Sequence, residues 1–115
     1  MESLSRVDEA ILVYSNWCPH CNPPALDAMK IIEKDLGAAV TLLDIDNRES
    51  EKKADEIVNK HGDWVEDYLI PQIFFKSKGK IKHVFTGYSE NVEITKEKLN
   101  TLISGKWYKS LATKP

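Results

Sequence analysis

Cysteine is the scarcest chemically useful residue of this 115-residue chain: there are two, and both lie within Trp17-Cys18-Pro19-His20-Cys21. With no others, no disulfide framework can staple the fold, and a domain of this length buries enough apolar surface to need none. Histidine is nearly as rare. His61 and His83 stand apart along the chain, so the second ligand pair that a metal knuckle needs at short spacing is missing, and no metal ligands are expected. Charge of one sign is also lacking: 16 Lys and Arg against 18 Asp and Glu leave a formal net charge of −2, which gives nucleic acid no electrostatic hold. No apolar run approaches the ~20 residues of a membrane span. Glu2, Arg6, Asp8 and Glu9 interrupt the stretch where the apolar core of a secretion signal would lie. One soluble domain over residues 1–115 is expected, in a reducing cytoplasm, with neither membrane nor nucleic acid as partner.

What is present has a readable order. Ala10 to Ser15 is apolar on both faces, as in a buried strand of a parallel pair. Ala25, Met29, Ile32 and Leu36 then recur at helical spacing until Gly37 stops the helix. Val40 to Ile45 reads as a second strand. Glu49 to Lys60 reads as a second amphipathic helix, with Ala54, Ile57, Val58 and His61 on one stripe and Gly62 as its C-cap. Gln72 to Lys76 and Ile81 to Phe85 form two strands joined at Ser77-Lys78-Gly79, an antiparallel hairpin whose alternating Lys76, Lys78, Lys80 and Lys82 are solvated and discourage edge pairing. Thr95 is the expected N-cap of a last helix that buries Leu99, Leu102 and Ile103 and ends at Gly105. Trp107 and Tyr108 in the tail are expected to pack back on the domain. Trp64 and Tyr68, between Asp63 and Ile70, read equally as core or as site lining, because Pro71 follows. The fold class is α/β, with order βαβαββα and a four-stranded mixed sheet flanked by helices on both faces.

Two thiols separated by two residues, where a strand hands over to a helix, suit reversible disulfide chemistry. Free N–H groups at a helix start favour a thiolate on Cys18, and Pro19 fits a first turn that needs no N–H there. Cys21, one turn further in and less exposed, is placed to resolve a mixed disulfide. His20 between them favours the thiolate when protonated. Pro23 and Pro24 interrupt the helix, which restarts near Pro24. Taken alone, Pro71 is a proline that opens a strand.

Trp-Cys-Pro-His-Cys between a strand and a helix, with Ile70-Pro71-Gln72-Ile73-Phe74 opening the third strand, resembles the thioredoxin-fold thiol–disulfide oxidoreductases. The short lead-in and the Ile-Pro-Gln-Ile-Phe strand are similar to a glutaredoxin, over about residues 10 to 104. The resemblance implies Cys18 as nucleophile, Cys21 as resolving thiol, His20 as their modulator, and a cis Pro71 against the pair. Trp17, Pro19, Ile70, Pro71, Gly87 and Ser89 are then the substrate-binding candidates. The resemblance also implies disulfide-containing proteins or glutathione mixed disulfides as substrates, glutathione or a reductase as electron donor, and no tightly bound cofactor. Cys-Pro-His-Cys itself is similar to the tetrapeptide of bacterial periplasmic thiol oxidases, whose inserted helical domain is absent. Leu12 stands where thioredoxins place a buried aspartate. Thr86-Gly87-Tyr88-Ser89-Glu90 keeps one glycine and one acid of the glutaredoxin turn that grips glutathione. Two other classes remain open: a shared zinc or iron–sulfur site held by the cysteine pair, and an interaction module without catalysis.

Overall fold

The computed structural model describes residues 6–64, 68–87 and 91–112. In chain order these form β1 (Glu9–Tyr14), α1 (Leu26–Leu36), β2 (Ala39–Asp44), α2 (Arg48–His61), β3 (Gln72–Ser77), β4 (Lys80–Thr86), α3 (Val92–Ser104) and α4 (Lys106–Ala112). The sheet order is β2-β1-β3-β4. β1 and β2 run parallel, Glu9 opposite Ala39 through Tyr14 opposite Asp44, because α1 carries the chain back across the sheet. β3 runs antiparallel to both β1 and β4. The expected α/β class and mixed four-stranded sheet are present.

Alternation along the strands splits the apolar residues into two cores. Ala10, Leu12 and Tyr14 of β1 and Ile73 and Phe75 of β3 face α1, α3 and α4, meeting Met29, Ile32, Leu99 and Tyr108. Ile11, Val13 and Phe74 point the other way, onto Ala54 and Val58 of α2. Helices therefore cover both faces, and β1, after the half-buried Glu9, is buried on both faces from Ala10 to Tyr14, as its apolar run describes. The β3–β4 link is a two-residue turn with positive φ at Lys78 (51°) and Gly79 (82°), the turn whose twist matches a hairpin, so β3 extends to Ser77.

Several expectations need correction. Asn91, not Thr95, caps α3, its side chain accepting from Glu93 N–H at 2.8 Å. Thr95 lies one turn inside, fully buried. His61 is exposed at the end of α2, off the buried stripe of Ala54 and Val58. The tail is an additional helix: the chain turns at Gly105, and α4 lays Tyr108 and Leu111 into the first core while Trp107 stacks on Phe75 at 5.9 Å between centroids. Trp107 and Tyr108 do pack back as expected; that they do so from a helix goes beyond the expectation.

Candidate active site

The cysteine pair sits just past the C-terminal end of β1, where the parallel strand β2 also ends. The segment after β1 is therefore flanked by the carboxylates that close β2. Asp46 accepts from Ser15 Oγ at 2.6 Å and from Trp17 Nε1 at 3.3 Å, and Asp44 accepts from Asn16 Nδ2 at 3.1 Å. Asp44 also accepts from the Asp46 N–H at 2.9 Å, which orients the second carboxylate. These two aspartates fix the approach to Cys18 and are absent from the candidates drawn from the sequence. The signal was present: parallel neighbours end at the same sheet edge, so Asp44-Ile45-Asp46 had to lie beside Ser15-Asn16-Trp17.

Cys18 closes a tight turn. Its carbonyl accepts from Cys21 N–H at 3.1 Å and Asn22 N–H at 2.9 Å, and its own N–H donates to Ser15 O at 3.3 Å. The two cysteines are not joined in a disulfide in this structure. Cys21 is fully buried, whereas Cys18 keeps 5% of its surface, much less than the open thiol expected but the only exposure in the pair. Burial pushes the Cys21 thiol well up, its hydrogen bond with Cys18 adds to this, and a backbone hydrogen bond from Ser15 opposes it. Cys21 thus holds its proton more firmly than a free thiol does.

The interruption expected at Pro23-Pro24 is present. Asn22 has extended φ/ψ (−123°, 111°), and a wide turn over Cys21–Ala25 delivers the chain to α1. Its closing bond runs from Leu26 N–H to Cys21 O. Because α1 begins at Leu26, its N-terminus lies past the break, and a single wide turn stands where a helix start was expected at Cys18. The missing proline N–H groups are the cause. The Asn22–Pro23 and Ile70–Pro71 peptide bonds are both cis.

His20 is tied down more firmly than a turn residue needs to be. Its Nδ1 lies 2.6 Å from Thr95 Oγ1, and that hydroxyl donates to Gly87 O at 2.6 Å. A threonine hydroxyl has one hydrogen, here engaged by Gly87, so the His20 contact requires Nδ1–H as donor. The neutral ring therefore carries its lone pair on Nε2. From Gly87 the chain of bonds continues, its N–H donating to Pro71 O at 2.8 Å. Thr95, read from the sequence as a helix cap, is the residue that joins His20 to the Gly87–Pro71 edge.

Pro71 is fully buried, and Val13 opposite Gln72 places it at the same end of the sheet as Tyr14. Ile70 packs on the core that contains Cys18 and Cys21. Gly87 sits so close that a β-carbon there would lie 2.8 Å from both Pro71 Cγ and Phe85 Cε2. Gln72, fully buried, holds the lead-in to Pro71: its Oε1 accepts from Asp63 N–H at 3.1 Å, and its Nε2 donates to Leu69 O at 2.9 Å and Asp63 O at 3.3 Å. Trp17 is 69% exposed and Pro19 is exposed beside the pair. Ser89 lies outside the described residues. The structure thus brings Trp17, Cys18, Pro19, His20, Cys21, Ile70, Pro71 and Gly87 to one edge. Among the described residues no group of three or more His, Cys, Asp or Glu is arranged to hold a metal ion, and no helix is long and apolar enough to cross a membrane.

Compared with known protein families, curated proteins and solved structures, the chain has no match.

Proposed function

We propose that the chain is a thioredoxin-fold thiol–disulfide oxidoreductase of glutaredoxin size, working through Cys18 and Cys21. The observation that carries this reading is the pairing of one slightly accessible thiol with one fully buried thiol, joined by a tight turn, at the sheet edge that also holds Pro71. In the forward direction the Cys18 thiolate attacks a substrate disulfide. A Cys18–substrate S–S bond forms, the substrate S–S bond breaks, and the expelled thiolate takes up a proton. Cys21 then loses its proton and attacks Cys18 Sγ, closing the Cys18–Cys21 disulfide and releasing the second substrate thiol. Two electrons pass from the dithiol to the substrate, and glutathione or a reductase returns them.

The burial of Cys21 favours order in these steps. A resolving thiol kept protonated does not compete with Cys18 for substrate and attacks only once the mixed disulfide has formed. His20, with Nδ1 engaged, offers Nε2 for proton exchange at this stage.

Cys18→Ser should abolish disulfide reduction entirely, whereas Cys21→Ser should accumulate a mixed disulfide with substrate. Mass spectrometry after acid quenching, together with an insulin or glutathione mixed-disulfide assay, reads both. Reduction that persists in Cys18→Ser, or a pair that never closes in oxidised glutathione buffers, would sink the reading.

A further inference from the structure

Beside Trp17, the residue before Cys18, lies a groove of about 400 Å³. Trp17, Trp64, Tyr68 and Ile70 supply apolar and aromatic faces, and α2 supplies Glu51 and Asp55. The carboxylates sit at i and i+4 on one helix face and so stand side by side. Trp64 and Tyr68 pack ring to ring at 5.0 Å, while the Tyr68 hydroxyl donates to Asp55 Oδ1 at 2.7 Å, which pins that carboxylate at the rim. Among the described residues no cationic side chain lines the groove, and neither Glu51 nor Asp55 is in an ion pair. Two of the groove's residues lead toward the redox pair: Trp17 precedes Cys18 in sequence, and Ile70 packs on the core containing both cysteines.

Aromatic faces beside two carboxylates that are in no ion pair among the described residues match one kind of side chain, a guanidinium or ammonium on an apolar stem, which the rings and the charges hold together. We infer that this groove receives an extended polypeptide carrying arginine or lysine beside its reactive cysteine, so that the substrates are basic-flanked protein disulfides. This rests on the oxidoreductase reading above and names the substrate class for it. Glutathione, with two carboxylates of its own, is a poor occupant on the same electrostatic grounds.

Three synthetic peptide disulfides identical except for Arg, Ala or Glu next to the cysteine test the inference. With one ion pair and one cation–π contact at stake, kcat/KM should favour the Arg peptide over the Glu peptide by about tenfold. That ratio should shrink in about 0.5 M salt, a condition of the assay in which the Debye length is only a few Å. In the double variant Glu51→Gln/Asp55→Asn it should fall to the small preference that the rings alone confer, while the amide oxygen introduced at position 55 would still accept from Tyr68. Equal rates for the Arg and Glu peptides, or a ratio unchanged in the double variant, overturns the inference and leaves the oxidoreductase reading intact. Turnover of none of the peptides overturns that reading instead. The groove is then judged by tryptophan-fluorescence titration with the cysteine-free peptides, where tighter binding of the Arg peptide sustains it and equal binding rejects it.

Discussion

At the scale of single residues, the position that most changes the picture of the site is Thr95. A hydroxyl that donates to Gly87 O while accepting from His20 Nδ1–H fixes which imidazole nitrogen is engaged, and it does so from a helix remote in sequence. Thr95→Val keeps the shape and removes both bonds. The buried Gly87 carbonyl loses its donor, for a cost of about 1–3 kcal/mol. Nitrogen-15 spectra at alkaline pH should show neutral His20 as the Nδ1–H tautomer in the parent chain. The valine variant should release it to the Nε2–H form that free histidine prefers, and Thr95→Ser should restore the parent signature. An unchanged tautomer in the valine variant would mean that Thr95 packs and does not position.

At the scale of elements, α4 shows how one side chain docks a short helix. Tyr108 is almost fully buried between α1 and the sheet, and its hydroxyl donates to Asp35 Oδ2 at 2.9 Å at the end of α1. Burial first, and then the Asp35 carboxylate, push the phenol far up, so it remains a donor at any working pH. Asp35 is exposed and regains water when the partner leaves, so Tyr108→Phe should cost only about 1 kcal/mol. Tyr108→Ala empties a core position and should cost about 3–5 kcal/mol. Urea unfolding midpoints of the two variants measure this. Equal losses would mean that the hydrogen bond, not the ring, docks α4.

At the scale of the whole molecule, global stability should carry the signature of His83. Its ring packs edge-on against Phe74 at 5.5 Å, and its Nε2 lies 2.6 Å from Thr86 Oγ1, which itself donates to Asp63 Oδ2 at 2.6 Å. Burial lowers the affinity of this imidazole for a proton, with Asp63 opposing more weakly, so its folded-state pKa lies below the unfolded value of about 6.5. Below that value the unfolded chain binds more protons here than the folded chain. The contribution of the neutral ring is complete above about pH 6.5 and is lost as the pH falls through the window beneath it. Unfolding midpoints should therefore drop further between about pH 7.5 and about pH 5.5 in the parent chain than in His83→Gln, where this one titration is absent. Identical drops would remove His83 as a source of acid sensitivity.

Local rules fixed much of this protein in advance. The both-sides-apolar run of β1, the helical spacing of Met29 and Ile32, the stop at Gly37 and the Lys78-Gly79 turn are all near-neighbour effects, so the sheet, its helices and the break at Pro23-Pro24 were legible. The cysteine pair and Ile70-Pro71 were likewise visible as candidates, because thiol spacing and a strand-opening proline are short-range signals. Tertiary structure alone decided which partners met there. Asp46 reaches Trp17 across the β1–β2 edge, and Thr95 reaches His20 across 75 positions of sequence. It also decided how little of Cys18 remains open, and that Trp64 and Tyr68 turn toward Trp17 to form a groove with the carboxylates of α2. Propensity and periodicity act within a few residues, whereas burial and hydrogen-bond partnership across the sheet edge exist only once the chain has closed on itself.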